Sequence, residues 1–304
     1  MSTIYLKKFI LPIDNEQDII GERMWANAGP YGYIDNPYPC GIFKNKQLQE
    51  INFATTTVFY GGNGSGKSTL LNLIAEKLQL KRISPFNTSE TFYFYVNHCK
   101  YSMGEDDDGF LHKIPNGSRI ITSDDIFDYM LALRTNNGDI SENKEDAKKD
   151  YDRLKYGKTI KFRGLEDYEE VRMQVLARRK SLTRRQFIRR TAGAEVPPNS
   201  NGETALAYFE SHLKNDTIYC LDEPENSLSP KMQLKLLQSL EEMAHYCGCQ
   251  FIIATHSPFL LALNQAKIYD LDATPVTTKN WWELENTRTY FDFFNKHRHR
   301  FEES

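Results

Sequence analysis

The chain contains no run of eighteen apolar residues, which excludes a conventional membrane-spanning helix. Its first ten residues hold two lysines but no long apolar core, so no secretory leader is expected. Cysteine is sparse. Cys40, Cys99, Cys220, Cys247 and Cys249 are odd in number and scattered, so the expectation is reduced thiols in a cytoplasm rather than a disulfide framework. Cys247-Gly-Cys249 lacks a second ligand pair, which argues against zinc. Cys220 lies in an apolar run and reads as a small core residue. No long heptad arm, internal repeat or low-complexity linker interrupts the chain. A net charge of −3 says little about partners, and 40% hydrophobic with 26% charged residues is ordinary for a globular protein.

What is present is more specific. Gly61-Gly62-Asn63-Gly64-Ser65-Gly66-Lys67-Ser68-Thr69 fits the phosphate-loop pattern G-x-x-x-x-G-K-[S/T]. An apolar, β-rich run (Thr55 to Tyr60) precedes it, and a helical apolar pattern (Leu70, Leu71, Leu73, Ile74, Leu78) follows. Glycines allow successive backbone N–H groups to turn toward one anion, and a helix N-terminus adds positive potential. Lys67 is expected to reach the β- and γ-phosphates of a nucleoside triphosphate, and the Ser68 hydroxyl to ligate Mg²⁺.

The surrounding pattern fits a nucleotide-binding α/β fold. Residues 1 to about 60 alternate in short segments between turn clusters, which predicts a small antiparallel sheet before the phosphate loop. Phe92 to Val96 and Arg119 to Thr122 read as further strands. From Asp124 to about Arg190 the sequence turns helical and highly charged, and Thr204 to Leu213 is helical again. Thr217 to Leu221 and Gln250 to Ala254 read as buried parallel strands, with a helix over Pro230 to Tyr246 between them. The expected fold is a mainly parallel sheet with an N-terminal antiparallel β-subdomain and a helical insertion. The expected organisation is one domain over 1–304, divided into 1–123, 124–203 and 204–304.

Ligands of open α/β sheets lie off the carboxyl ends of the strands. Leu221-Asp222-Glu223-Pro224 occupies such an end. Asp222 there is expected to hold Mg²⁺, commonly through water, and Glu223 to orient an attacking water. Adjacent carboxylates on an apolar strand are costly without a metal or solvent-filled site to receive them. His256 follows the next strand and so reaches the same edge, placed to donate to the γ-phosphate.

Together these residues resemble the ABC-type ATPases, and among them the stand-alone branch related to SMC and RecF, of the AAA_21 bacterial kind. The resemblance implies a signature segment one helix before the second acidic motif, and Asn199-Ser200-Asn201-Gly202-Glu203 stands there. It implies that Ser200, Gly202 and Glu203 meet the γ-phosphate held by a second copy of the chain. Ser227-Leu228-Ser229-Pro230 resembles the family's D-loop, with Ser229 in place of the usual aspartate. The Q-loop position carries Ser123-Asp124-Asp125 and no glutamine, and Tyr31, Tyr33, Tyr38 and Phe43 all stand as adenine-stacking candidates.

Between Glu170 and Glu195 lie eight basic residues and no acid: Arg172, Arg178, Arg179, Lys180, Arg184, Arg185, Arg189 and Arg190. Such a run is either a solvated helical face or a contact for nucleic acid or an acidic partner protein. The acidic Glu105 to Asp108 segment is a further candidate to dock on it, and Lys296 to Arg300 reads as a charged tail. The expected activity is ATP hydrolysis with Mg²⁺ by an ATP-dependent homodimer, acting off the membrane as a switch in nucleic-acid maintenance or bacterial antiviral defence. The alternatives are an ATP sensor that regulates a partner effector protein, and a transporter ATPase subunit.

Overall fold

Five short apolar runs fold as the parallel part of a six-stranded sheet. The structure is a computed structural model that describes residues 3–12, 21, 38–160, 167–179, 183–192 and 200–302. Its strands are β1 (Leu6–Ile10), β2 (Glu50–Asn52), β3 (Thr56–Tyr60), β4 (Lys100–Met103), β5 (Arg119–Thr122), β6 (Ile218–Asp222), β7 (Gln250–Ala254), β8 (Lys267–Asp270) and β9 (Thr277–Lys279). The larger sheet runs β5-β6-β7-β3-β8-β9, with β9 antiparallel at one edge. Every residue of β3 and β7 is buried, as expected of central strands covered on both faces.

Helices α1 (Lys67–Lys77) and α2 (Glu90–His98) follow β3. Next come α3 (Ser123–Tyr156), α4 (Tyr168–Arg178), α5 (Arg184–Ala192) and α6 (Asn201–His212). The last are α7 (Pro230–Tyr246), α8 (Pro258–Leu261), α9 (Glu285–Lys296) and α10 (His299–Glu302). Two compact units emerge, one formed by 1–126 with 201–304 and the other by 127–200. The second is helical and has its own small core of Tyr151, Leu154, Ala177 and Phe187. Within it, the buried Gln174 amide accepts from the Ile160 N–H and donates to the carbonyls of Leu154 and Lys158.

In the first unit, α1 lies against β6 and β7. Alternate strand residues Ile218, Cys220, Ile252 and Ala254 join its main hydrophobic cluster with Leu70, Leu71, Leu73 and Ile74. The same cluster takes in Leu6, Phe9 and Ile51 of the small antiparallel sheet β2-β1-β4. That sheet differs from the sequence expectation in one respect: its third strand, β4, comes after the phosphate loop rather than before it. Phe92 to Val96 is also not a strand but the middle of α2. The Ser89 hydroxyl caps that helix by accepting from the Phe92 N–H at 3.0 Å, and Thr91, Phe92, Tyr95 and Val96 are buried at helical spacing. Aromatic and β-branched content alone had favoured a strand; the cap and the period decide for a helix.

Gln250, fully buried at the start of β7, fastens the two sheets together. Its Oε1 accepts from Leu6 N–H at 2.8 Å, and its Nε2 donates to the carbonyls of Leu6 at 2.8 Å and Ala54 at 3.0 Å. One side chain thus satisfies three backbone groups that burial would otherwise leave unpaired. Gln250→Ala is expected to destabilise the protein by about 3 kcal/mol, measured by urea unfolding, because those groups lose their partner without regaining water.

Candidate functional site

The parallel register sets the strand ends abreast. Asp222 of β6 pairs with Thr122 of β5 and Ala254 of β7, and Ala254 pairs in turn with Phe59 of β3. Gly61, Glu223 and Thr255 therefore leave the sheet along one edge. The crossing is tied by hydrogen bonds from Glu223 N–H to the Ala254 carbonyl and from Thr255 N–H to the Phe59 carbonyl.

Residues 61–66 turn tightly between β3 and α1. A Cβ at Gly61 would lie 2.5 Å from Ser65 Oγ, and one at Gly66 would lie 2.9 Å from Ile42 Cγ2 with φ at +98°. Only glycine fits either place. Gly66 caps α1 without a side-chain bond, so the first-turn N–H groups of the helix face the loop with no intrahelical acceptor. Ser65 Oγ is buried and has no hydrogen-bond partner among the described residues. This cradle of glycines, free amides and an orphaned hydroxyl fits a chain of phosphates.

Lys67 is only 4% exposed, and its Nζ donates to the carbonyls of Gly61 at 2.7 Å and Gly62 at 3.0 Å. It also lies 3.9 Å from Glu223 Oε1. Beneath the loop, Lys46 Nζ donates to the carbonyls of Ser65 at 2.7 Å and Leu271 at 2.5 Å. Burial holds its ammonium below the usual lysine range, opposed by the carboxylates of Asp272 and Asp270. Asp272 Oδ2 accepts from Gly62 N–H at 2.7 Å. Lys46 and Asp272 thus brace the loop from two sides, and nothing in their local sequence pattern marked either.

Ser68 Oγ donates to Asp222 Oδ1 at 3.0 Å, so the hydroxyl and carboxylate expected to hold Mg²⁺ are adjacent. The pair could hold that cation: two hard oxygen donors, a hydroxyl and a carboxyl, meet at the strand edge. Burial pushes the Asp222 carboxyl up to about 6, the Ser68 hydroxyl pulls it down, and the Glu223 carboxylate beside it pushes it up again.

Glu223 holds a left-handed backbone at φ 46°, a conformation costly for any residue but glycine. That twist turns its carboxylate back over the loop. Oε1 lies 3.6 Å from His256 Nδ1, and Oε2 accepts from Asn226 Nδ2 at 3.2 Å. Glu225, two residues on, passed unremarked in the sequence. It is 6% exposed, and its Oε1 accepts from Thr255 Oγ1 at 2.6 Å, His256 N–H at 3.1 Å and Ser257 N–H at 3.2 Å. A third acid closely following Asp222 and Glu223 was the available signal. The His256 carbonyl accepts from Asn286 Nδ2 of α9 at 2.6 Å, and the Asn286 N–H donates to Tyr60 Oη at 3.1 Å.

The remaining expected positions lie as follows. Ser200 is exposed just before α6, and Gly202 and Glu203 form its first turn. A Cβ at Gly202 would meet Met232 at 3.4 Å and the Ser227 carbonyl at 3.6 Å, both ordinary contacts, so the chain's own packing does not require glycine there. Gly202 nevertheless abuts the D-loop-like segment, where Ser227 has φ 71°. Asp125 of the Q-loop position is no metal ligand. Its two oxygens are taken by the N–H and hydroxyl groups of Ser84 and Thr122, and it is buried. Of the aromatic candidates, Tyr38 stacks on Phe92 and donates to Thr69 Oγ1 at 3.1 Å, and Phe43 is buried beside Gly66. Tyr31 and Tyr33 lie outside the described residues.

In the helical unit, Arg172 pairs with Glu169 and Arg184 with Asp152, while Arg178 donates to Thr159 Oγ1 and the Gly157 carbonyl. Arg179, Arg185 and Arg190 are exposed. Phe187 belongs to the core. Lys180 and the side chain of Arg189 lie outside the described residues.

Residues 190–262 match the family model described as "AAA domain, putative AbiEii toxin, Type IV TA system". A curated relative, an uncharacterized ABC transporter ATP-binding protein/permease of Saccharomyces cerevisiae, is 27% identical over 65% of this chain. The match covers 13% of that protein's length. Among solved structures, the SMC head domain from Thermotoga maritima is 14% identical, with a TM-score of 0.39, over 91% of this chain and 98% of that one. A dimeric bacterial ABC transporter cassette is 16% identical, with a TM-score of 0.36, over 77% of this chain and 90% of that one. Among the described residues, no helix is long and apolar enough to cross a membrane.

A carboxyl raised in the fold above its unfolded value of about 3.9 stabilises the protein when protonated and loses that contribution as pH rises through about 6. At neutral pH Asp222 is therefore a strain on the ligand-free protein. Asp222→Asn is expected to stabilise that state by about 1–3 kcal/mol at pH 7.5, with the gain vanishing near pH 4, as read by thermal unfolding across pH.

Proposed function

We propose that the chain is an ABC-type ATPase of the SMC/RecF-like kind that binds Mg-ATP and hydrolyses it as a head-to-tail homodimer. The observation that carries this reading is the convergence of three groups at one strand edge. Glu223 Oε1 lies 3.9 Å from Lys67 Nζ and 3.6 Å from His256 Nδ1, immediately beside the Ser68–Asp222 pair.

In this reading Gly61, Gly62, Asn63, Gly64, Ser65, Gly66, Lys67, Ser68 and Thr69 cradle the phosphates through backbone N–H groups, and Lys67 turns from the loop carbonyls to the β- and γ-phosphates. Ser68 and Asp222 would hold Mg²⁺, which when bound would supply neutralisation of phosphate charge. Glu223 accepts a proton from, or orients, the attacking water, and His256 donates to the γ-phosphate. These are positioned charges acting where charge moves in the transition state. Ser200, Gly202 and Glu203 of a second copy complete the site. Loss of the γ-phosphate removes their ligand, so the dimer opens.

The work of that motion is assigned to nucleic-acid maintenance or bacterial defence in a cytoplasm. The toxin–antitoxin description of the matched family supports defence over transport. Arg179, Arg185 and Arg190 are exposed cations through which the helical unit would meet nucleic acid or an acidic effector protein.

Glu223→Gln is expected to lower kcat at least about 100-fold and to trap an ATP-bound dimer, while Lys67→Ala abolishes the thermal stabilisation given by ATP. Light scattering that finds only monomers of Glu223→Gln in excess Mg-ATP would overturn the composite site. Gly202→Ala separates fold from assembly. Its melting temperature should match the parent within a degree or two, while ATP-dependent dimerisation of the Glu223→Gln background weakens about tenfold or more in sedimentation.

A further inference from the structure

We propose that Glu225 is a positioning residue for His256, and that Ser257 and Gln233 extend its hold to the Ser227–Ser229 segment. The functional consequence rests on the hydrolysis reading above; the positioning itself does not.

The His256 side chain is 48% exposed, so core packing does not fix where it points. Its placement has to come from its backbone, whose carbonyl is held by Asn286 and whose N–H side is gathered on one atom. Glu225 Oε1 accepts from the hydroxyl of Thr255 and from the N–H groups of His256 and Ser257, three donors on three consecutive residues. The geometry is stiff because Thr255 Oγ1 also accepts from Ser257 N–H at 3.0 Å. Burying a carboxylate is costly, and three donors to one oxygen offset much of that cost. The other oxygen, Oε2, is buried and has no hydrogen-bond partner among the described residues. The oxygen that holds the loop also faces the imidazole ring. Glu225 Oε1 lies 3.6 Å from His256 Nδ1, the same separation as Glu223 Oε1. The Nδ1 side of the ring thus faces both carboxyl groups, which leaves Nε2 on the side away from them.

The hold does not end at the histidine. Ser257 Oγ donates to Gln233 Oε1 at 2.6 Å, and Gln233 Nε2 donates to the Leu228 carbonyl at 2.9 Å. Leu228 lies in the segment against which Gly202 packs. A displacement of 227–229 therefore pulls on Ser257 and, through Glu225, on His256 itself. The chain of hydrogen bonds joins the surface assigned to the second copy with the group assigned to the γ-phosphate.

The test uses the full chain and two readouts. In hydrogen exchange, Glu225→Ala should speed exchange of the His256 and Ser257 amides at least about tenfold, and Glu223→Gln should leave them unchanged. In steady-state hydrolysis, Glu225→Ala should lower kcat about tenfold or more while KM stays within about twofold, and Glu225→Gln should recover most of the loss through its carbonyl. Glu225→Ala combined with His256→Ala should be no slower than His256→Ala alone. Unchanged exchange, or multiplying losses in the double variant, overturns the proposal. A parent protein without ATPase activity would overturn the hydrolysis reading, and the exchange readout would still decide the positioning. If Glu225→Ala does not fold, Gln233→Ala supplies the same measurement at a half-buried position: faster Ser257 exchange supports the chain of bonds, and unchanged exchange overturns it.

Discussion

The parallel register of β6, β7 and β3 is the constraint on which everything else rests. Because Asp222, Ala254 and Phe59 stand abreast, three segments that are far apart in sequence leave the sheet on neighbouring strands, within about 10 Å of one another. Side chains alternate along a strand, so a slip of one residue in β6 would bury Asp222 on a sheet face and remove it from Ser68. Buried isoleucine, phenylalanine and cysteine side chains on both faces hold the register, which makes the apolar core the indirect guarantor of the site's polar geometry.

The polar groups of that edge are held against their own preferences. A lysine is buried on two carbonyls, an aspartate has its carboxyl raised to about 6, and a glutamate occupies a left-handed backbone. Each is unfavourable alone. Together they form a charge arrangement that an anionic ligand and a divalent cation would complete, since the anion receives the lysine and the cation receives the aspartate. Structure around the edge supplies the restraint: Lys46 and Asp272 brace the loop, Glu225 pins the histidine segment, and Asn286 ties that segment to α9.

What could be read in the sequence followed from how local each signal is. The phosphate loop needs glycines, a lysine and a hydroxyl in one unbroken stretch, and the acidic pair directly ends an apolar run; both were legible. His256 was legible because it follows the next such run. Lys46, Glu225 and Asp272 were not, since each acts through a partner 19, 31 or 210 residues away, at Ser65, His256 and Gly62. Phe92 to Val96 was misread for a complementary reason. Its composition favours strands, and a helix cap three residues upstream outweighed composition. Asp125 had the right chemistry for a metal ligand, but its oxygens are spent on Ser84 and Thr122.

The strand order also bears on how the chain is made. Among the described residues β3, which delivers the phosphate loop, pairs only with β7 and β8, both of which lie beyond residue 249. At a synthesis rate of about 5–20 residues per second, the ribosome needs roughly 10–40 s to get from Tyr60 to Ala254. Throughout that interval a five-residue strand that ends wholly buried has neither of its neighbours. The same arrangement that seats the loop at the centre of the sheet makes it the part of the nascent chain with the longest wait, and so the segment on which a chaperone has most to do.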